Sequence, residues 1–291
     1  MAEALPASVP ADHAQTVGED FHVAPVAPPV RTERVRVSGI DVDVRISGEG
    51  APLLLLSGIF GELPLWRPLL PYLEGFQSIA FDPPGVGRTK AAAVPMSMVG
   101  LANFTIGVLD ALGIESAHVL GASFGGALAQ QLAVSHRGRV ERLVLVSTSF
   151  GGFALPCSPR AFLHFIHPSA YSPQRLAKTA GSMFGGRLRS HPQIAESLHF
   201  SRPSGVRNTL FRAFPLWLWT SLPWLHSIRH PTLVIGGDDD PVTPLINHRL
   251  MAKLIPPGVL HVVRGGGHMV LVDSPEIVAP KIVQFLHAHD R

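Results

Sequence analysis

Ser123 lies in Gly121-Ala122-Ser123-Phe124-Gly125, a G-x-S-x-G run. A short apolar stretch, residues 117–120, leads into it, and a helix-like stretch, residues 124–134, leaves it. In that context the serine occupies a sharp strand-to-helix turn with strained backbone, and the residues two positions away must be small. The turn lifts Oγ clear of the sheet, and the start of the helix aims N–H groups and a positive dipole end at the reacting oxygen. The chemistry this suits is nucleophilic attack on a carbonyl. A serine hydroxyl is a weak nucleophile at neutral pH, so it needs a base to take its proton and a third group to orient that base.

Both are available downstream. Residues 231–237 (PTLVIGG) read as a buried strand ending in glycines, followed by Asp238, Asp239, Asp240 and Pro241. Residues 260–263 (LHVV) read as another strand, and Arg264-Gly265-Gly266-Gly267-His268 stands at its end. Each candidate lies just past the C-terminal end of a predicted strand, where open parallel sheets place their sites. Three adjacent buried carboxylates would repel one another, so at least one of the aspartates is expected to face solvent. Asp238 and Asp239 also fit as turn-formers and caps. For the base, His268 is preferred, because it follows three glycines in a loop while His261 lies inside an alternating strand. His118, in the strand before Ser123, is expected to be structural.

These residues need a scaffold that brings strand ends together. The chain has 291 residues, 46% of them hydrophobic, enough for one large domain with an insertion. Alternation in residues 35–37 and 42–46 predicts an opening hairpin turning at residues 38–41. Residues 53–56, four leucines, and 78–81 predict central strands, the second ending in the tight D-x-P-G-x-G loop of residues 82–87. A helix over 97–112, strands at 117–120, 142–147 and 232–235, and a closing helix over 275–289 complete an α/β alternation with a parallel sheet. From Phe150 to about His226 the alternation breaks into Pro-rich, aromatic and amphipathic pieces. Between Phe150 and Arg229 the only acidic residue is Glu196. The run Phe214-Pro215-Leu216-Trp217-Leu218-Trp219 carries too many large apolar groups for one helical stripe, so part of it is expected to be exposed or to line a cavity.

Composition narrows the function classes. The single cysteine, Cys157, excludes an intrachain disulfide and a cysteine metal cluster. No apolar stretch of about 20 residues predicts a membrane span, and the N-terminus lacks the basic start and apolar core of a signal peptide. A cytoplasmic protein is expected, with residues 1–28 a disordered leader rich in Ala, Pro and Val. The net charge of +3 comes without basic–aromatic interleaving, so no nucleic-acid partner is expected.

The longer motifs carry a family resemblance. Phe81-Asp82-Pro83-Pro84-Gly85-Val86-Gly87, the run from Gly121 to Gln131 and the run from Gly237 to Asn247 resemble the intracellular medium-chain-length poly(3-hydroxyalkanoate) depolymerases of the α/β-hydrolase superfamily. Residues 219–226 (WTSLPWLH) add to the likeness. It implies an α/β-hydrolase fold: a mostly parallel central sheet flanked by helices, formed by residues 29–149 and 228–291, with a mainly helical cap inserted at 150–227. The spacing Gly237, Asp240, Pro244 resembles the acid loop of that superfamily and selects Asp240. Ser123, Asp240 and His268 then form the catalytic triad, in the superfamily's chain order. The oxyanion hole is assigned to the backbone N–H groups of Phe124 and Ile59, the latter because Ser57-Gly58 stands where His-Gly is common. Gly58, Phe60, Trp217, Trp219 and Met269 are the expected substrate contacts.

By this resemblance the chain is a serine ester hydrolase that cleaves stored polyester to 3-hydroxyacids through an acyl-enzyme, in cytoplasm and on granules, with no metal or organic cofactor. Alternatives are a general carboxylesterase or lipase, a carbon–carbon hydrolase of meta-cleavage products, and a non-catalytic granule-associated protein. The chain departs from the family at Phe124, where Trp is usual, at residues 264–267, where the family loop is acidic, and in its long leader.

Overall fold

A computed structural model describes residues 15–16, 25–59, 61, 63–165, 167, 170–198, 200, 214–216 and 219–288. Nine strands among them form one sheet: β1 (Gln15–Thr16), β2 (Val30–Val37), β3 (Ile40–Ser47), β4 (Ala51–Leu56), β5 (Phe76–Phe81), β6 (Ala117–Ala122), β7 (Val140–Val146), β8 (Thr232–Gly237) and β9 (Gly258–Arg264). Their spatial order is β1-β9-β8-β7-β6-β4-β5-β3-β2. β2, β3 and β5 pair antiparallel, and every other pairing is parallel.

The opening hairpin turns on two residues rather than four. Ser38 and Gly39 both have positive φ, 49° and 78°, and Val37 pairs directly with Ile40. Two left-handed residues make the tight turn whose twist matches the strands it joins, so Ile40 and Asp41 belong to β3. The sheet reaches further at the other edge too. Gln15–Thr16, within the stretch read as a disordered leader, pairs with Val263 and Arg264 and so covers an edge that β9 would otherwise leave open. The rest of residues 1–24 lie outside the described residues.

The central strands are buried on both sides, as the faces of a doubly covered parallel sheet must be. Leu54, Leu56, Val119, Leu143, Leu145 and Val234 join one apolar cluster, with α1 (Met98–Ala111) and α2 (Phe124–Ser135). Leu53, Leu55, Leu120, Val144, Leu233 and Ile235 join the other, under the closing helix Pro275–Leu286. The period-2 alternation along each strand thus sorts side chains between two cores. Ser97 caps α1, its Oγ accepting the Gly100 N–H at 3.1 Å.

Between β7 and β8 the described residues form α3 (Pro159–Phe165), α4 (Pro173–Phe184) and several 3₁₀ turns. Ser172 caps α4 by accepting the Arg175 N–H, with Pro173 at the first helical position. Leu176, Ala180, Met183, Phe184 and Leu188 pack with Leu65 and Val272 of the core into a third apolar cluster. The returning end of the insertion is tied down at Ser221, whose N–H donates to the Phe150 carbonyl and whose Oγ donates to Gln130 Oε1 at 2.6 Å. Beyond β8, α5 (Leu245–Leu254) follows the acid loop. No helix among the described residues is long and apolar enough to cross a membrane.

Candidate active site

Ser123 sits between β6 and α2 with φ 52° and ψ −118°. That conformation is costly for a residue with a Cβ and persists only where its surroundings impose it. The glycines on either side make it possible. A Cβ on Gly121 would collide with the Gly125 carbonyl, and one on Gly125 with the Leu56 carbonyl. The turn is held by the Ser123 N–H donating to Val146 O at 2.9 Å, by the Gly126 N–H donating to Ser123 O at 2.9 Å, and by Thr148 Oγ1 donating to the same carbonyl at 2.6 Å.

The three side chains singled out for chemistry meet. His268 Nε2 lies 3.0 Å from Ser123 Oγ, and its Nδ1 lies 2.9 Å from Asp240 Oδ2. The Asp240 side chain has no exposed surface. Its Oδ1 accepts the N–H groups of Val242 and Thr243 at 2.8 and 2.9 Å, and its Oδ2 also accepts the Thr243 hydroxyl at 2.6 Å. Burial pushes this carboxyl up, but the His268 ring and the Thr243 hydrogen bonds outweigh it, leaving it below the ordinary range. The other two aspartates do structural work. Asp238 is exposed and its Oδ1 accepts the Gly265 N–H. Asp239 accepts the Gly186 N–H at 2.8 Å and forms a two-pronged pair with Arg189. His261 is buried within β9, and burial lowers the pKa of buried His118 in β6. With Asp240 fixed at the Nδ1 side, the imidazole is oriented to receive a proton from Ser123 at Nε2.

Phe124 opens α2 directly after Ser123, and Ile59 stands on the loop after β4, whose Gly58 lies against Ser123. Among the described residues, neither backbone N–H donates to a partner, which leaves both available to an anionic oxygen. The Ile59 loop is anchored from two sides. Trp66 Nε1 donates to Ser57 Oγ at 2.8 Å. Asp82, buried at the end of β5, accepts the Leu63 N–H at 3.2 Å. The D-x-P-G-x-G run reads from sequence only as a tight turn, and its aspartate instead tethers the neighbouring loop.

Ser123 and His268 open into a cavity of about 710 Å³. Its walls are mostly apolar, with Leu65 and Trp66 from the core and Phe165, Tyr171, Phe184 and Phe200 from the insertion. Of the expected substrate contacts, Gly58 and Met269 line it. Phe60 and Trp217 lie outside the described residues. Trp219 does not line the cavity. Its indole N–H donates to Gln131 Oε1 at 2.9 Å and its ring meets Trp224 edge-on, so the side chain fastens the insertion to α2. A Trp packed into the interior, even half-buried as here, usually finds an acceptor for its N–H, and Gln131 supplies one. Phe184 and His248 escaped the sequence reading. Phe184 lies against His268, and His248 lies fully buried behind the elbow. No group of three or more metal-ligating side chains occurs among the described residues.

A sheet of this order, with Ser123, Asp240 and His268 just past the C-terminal ends of β6, β8 and β9, defines an α/β hydrolase. A family model described as alpha/beta hydrolase fold matches residues 51–163, and one for TAP-like proteins matches residues 222–290. Over 239 residues the chain is 40% identical to a poly(3-hydroxyalkanoate) depolymerase of Ectopseudomonas oleovorans, covering 81% of this chain and 84% of that protein. It is 29% identical over 281 residues to a 2-hydroxymuconate semialdehyde hydrolase of Pseudomonas sp. strain CF600, covering 92% and 98%. The solved meta-cleavage product hydrolase of Pseudomonas fluorescens IP01 superposes with a TM-score of 0.73 at 24% identity, over 87% of this chain and 97% of that one, which speaks to the fold. The chain belongs to the poly(3-hydroxyalkanoate) depolymerase family of the α/β hydrolases.

Proposed function

We propose that this chain hydrolyses the ester bonds of a poly(3-hydroxyalkanoate), with Ser123 as nucleophile, His268 as general base and then acid, and Asp240 as the group that orients it. The observation that carries the reading is the unbroken Asp240–His268–Ser123 hydrogen-bonded chain at the floor of a large apolar cavity. The 40% identity to a depolymerase supports the polyester as substrate.

Ser123 Oγ attacks the ester carbonyl as its proton passes to His268 Nε2. The carbonyl π pair moves onto oxygen, and the Phe124 and Ile59 N–H groups stabilise that oxyanion; each such donor contributes about 3 kcal/mol of barrier lowering. Asp240 stabilises the imidazolium. The tetrahedral species collapses, the alkoxy oxygen leaves with the proton from His268, and an acyl-enzyme remains. Water then attacks with His268 again as base, releasing a 3-hydroxyacid or a shortened chain and restoring Ser123.

Residues 150–227 act as a cap in this reading. Phe153, Leu155, Phe162 and Leu163 are exposed, and Leu155 and Phe162 also line the cavity. The apolar lining therefore continues onto the outside, as work at the surface of a cytoplasmic polyester granule would require.

The test is hydrolysis of a medium-chain polyester suspension beside short- and medium-chain p-nitrophenyl esters, with Ser123→Ala as control. Release of 3-hydroxyacids by wild type and not by the variant is expected. Activity on the soluble esters alone would make the protein a general esterase. Retained activity in Ser123→Ala would sink the triad.

A further inference from the structure

We propose that His248 is a positioning residue for this reaction, setting the direction of the Phe124 N–H through Thr148 and the Ser123 carbonyl. The inference rests on the reading of Ser123 as nucleophile and Phe124 as oxyanion donor.

His248 is in α5, directly after the acid loop, and is 0% exposed. Its Nε2 accepts the backbone N–H of Thr148 at 3.1 Å. Thr148 Oγ1 in turn donates to the Ser123 carbonyl at 2.6 Å. That carbonyl and the Phe124 N–H belong to one planar trans peptide, so they point in opposite directions. Fixing the carbonyl therefore aims the N–H. The Gly126 and Ala127 N–H groups reach the same carbonyl at 2.9 and 3.3 Å, but they belong to the helix that the elbow starts. Thr148 is the side chain that ties this peptide to the segment following β7.

Two glycines make room for the relay. A Cβ on Gly236 would stand 2.6 Å from His248 Cγ, and one on Gly126 would stand 2.5 Å from Thr148 Cβ. An apolar side chain could fill the space of His248 but would leave the buried Thr148 N–H without an acceptor. Desolvation keeps the ring neutral, lowering its pKa to about 4; Asp240 opposes this and His268 reinforces it. Nε2 thus remains an acceptor at neutral pH.

The experiment compares His248→Leu, His248→Gln, Thr148→Val and the double variant His248→Leu with Thr148→Val against wild type and Ser123→Ala. Three quantities are read: hydrolysis of p-nitrophenyl octanoate, the rate of Ser123 labelling by a fluorophosphonate, and thermal unfolding. His248→Leu and Thr148→Val should each lower kcat and the labelling rate by about tenfold or more, with KM within about twofold, because the oxyanion donor is misdirected. His248→Gln, whose Oε1 can accept from Thr148, should recover most of the rate. The double variant should be no slower than the slower single variant, since both act through one peptide. The proposal is overturned if the single variants keep wild-type kcat and labelling, if only KM changes, if His248→Gln is as slow as His248→Leu at equal Tm, or if the two effects multiply. An active, labelled Ser123→Ala would instead remove the nucleophile assignment on which the proposal rests.

Discussion

The Phe184 ring lies nearly parallel to the imidazole of His268, with centroids 6.2 Å apart and planes inclined by 13°, and the Phe184 carbonyl accepts the His268 backbone N–H at 2.7 Å. One residue at the end of α4 therefore holds His268 at both its ring and its main chain. Phe184→Leu keeps an apolar group but loses the flat face, and should lower kcat about tenfold with a small change in Tm. Phe184→Ala should add a stability loss of about 3–5 kcal/mol from the cavity it leaves. Steady-state kinetics beside denaturant unfolding separates the two effects. Unchanged kcat in Phe184→Leu would mean that the backbone contact alone suffices.

The elbow makes a sharper prediction. Gly121→Ala and Gly125→Ala each place a methyl group against a backbone carbonyl that has no room to retreat. Each should abolish labelling of Ser123 by a fluorophosphonate and lower Tm by several degrees, even though alanine is the better helix former at position 125. A labelled, fully active Gly125→Ala protein would contradict the close approach of α2 to β4.

Asp273 gives a pH dependence. It is buried, Ser274 Oγ donates to its Oδ1, and desolvation raises its pKa from the ordinary 3.8 to about 6, against the lowering effect of Ser274 and Arg187. Between those values the folded state holds a proton that the unfolded chain has lost, so stability falls as pH rises from about 4 to about 6. The contribution has an upper bound of about 3 kcal/mol. Asp273→Asn should flatten that decline. Its Tm relative to wild type should be higher at pH 8 than at pH 4, and equal differences at both pH values would refute the assignment.

The Arg189–Asp239 pair should matter little by itself. Both side chains are more than a third exposed, and pairs of that kind contribute less than about 1 kcal/mol. Arg189→Ala should keep wild-type kcat and nearly wild-type Tm. Asp239→Ala should cost more, because it also strips the Gly186 N–H of its acceptor. A large activity loss in Arg189→Ala would show that the pair controls the acid loop.

The parts of the site that could be read from sequence are those specified locally. The elbow glycines flank Ser123 by two residues, and Asp240 is picked out from its two neighbours because its spacing from Gly237 and Pro244 resembles the superfamily's acid loop. The strand patterns were legible for the same reason, since alternation and buried runs are properties of a few consecutive residues. What escaped depends on segments far apart in the chain. Trp219 reads as a cavity residue until Gln131, 88 positions away, is seen to hold its indole N–H. His248 is one histidine among 15 until Thr148 is seen to donate to it across 100 positions. Phe184 carries no motif at all, and its place over His268 follows from how α4 packs.

Where α4 ends, backbones cross with almost nothing between them. A Cβ on Gly186 would stand 2.5 Å from the Gly267 nitrogen, and one on Gly267 would stand 2.5 Å from the Gly185 carbonyl carbon. Gly185 meets Asp239, and Gly237 meets Gly266, just as closely. The insertion is therefore not a detachable module. A chimera that takes residues 150–227 from a relative with bulkier residues at this crossing would push Asp240 and His268 apart. One that also carries residues 237–240 and 264–268 would keep them together. For recombination between such proteins, the heritable block is the crossing and not the segment between β7 and β8.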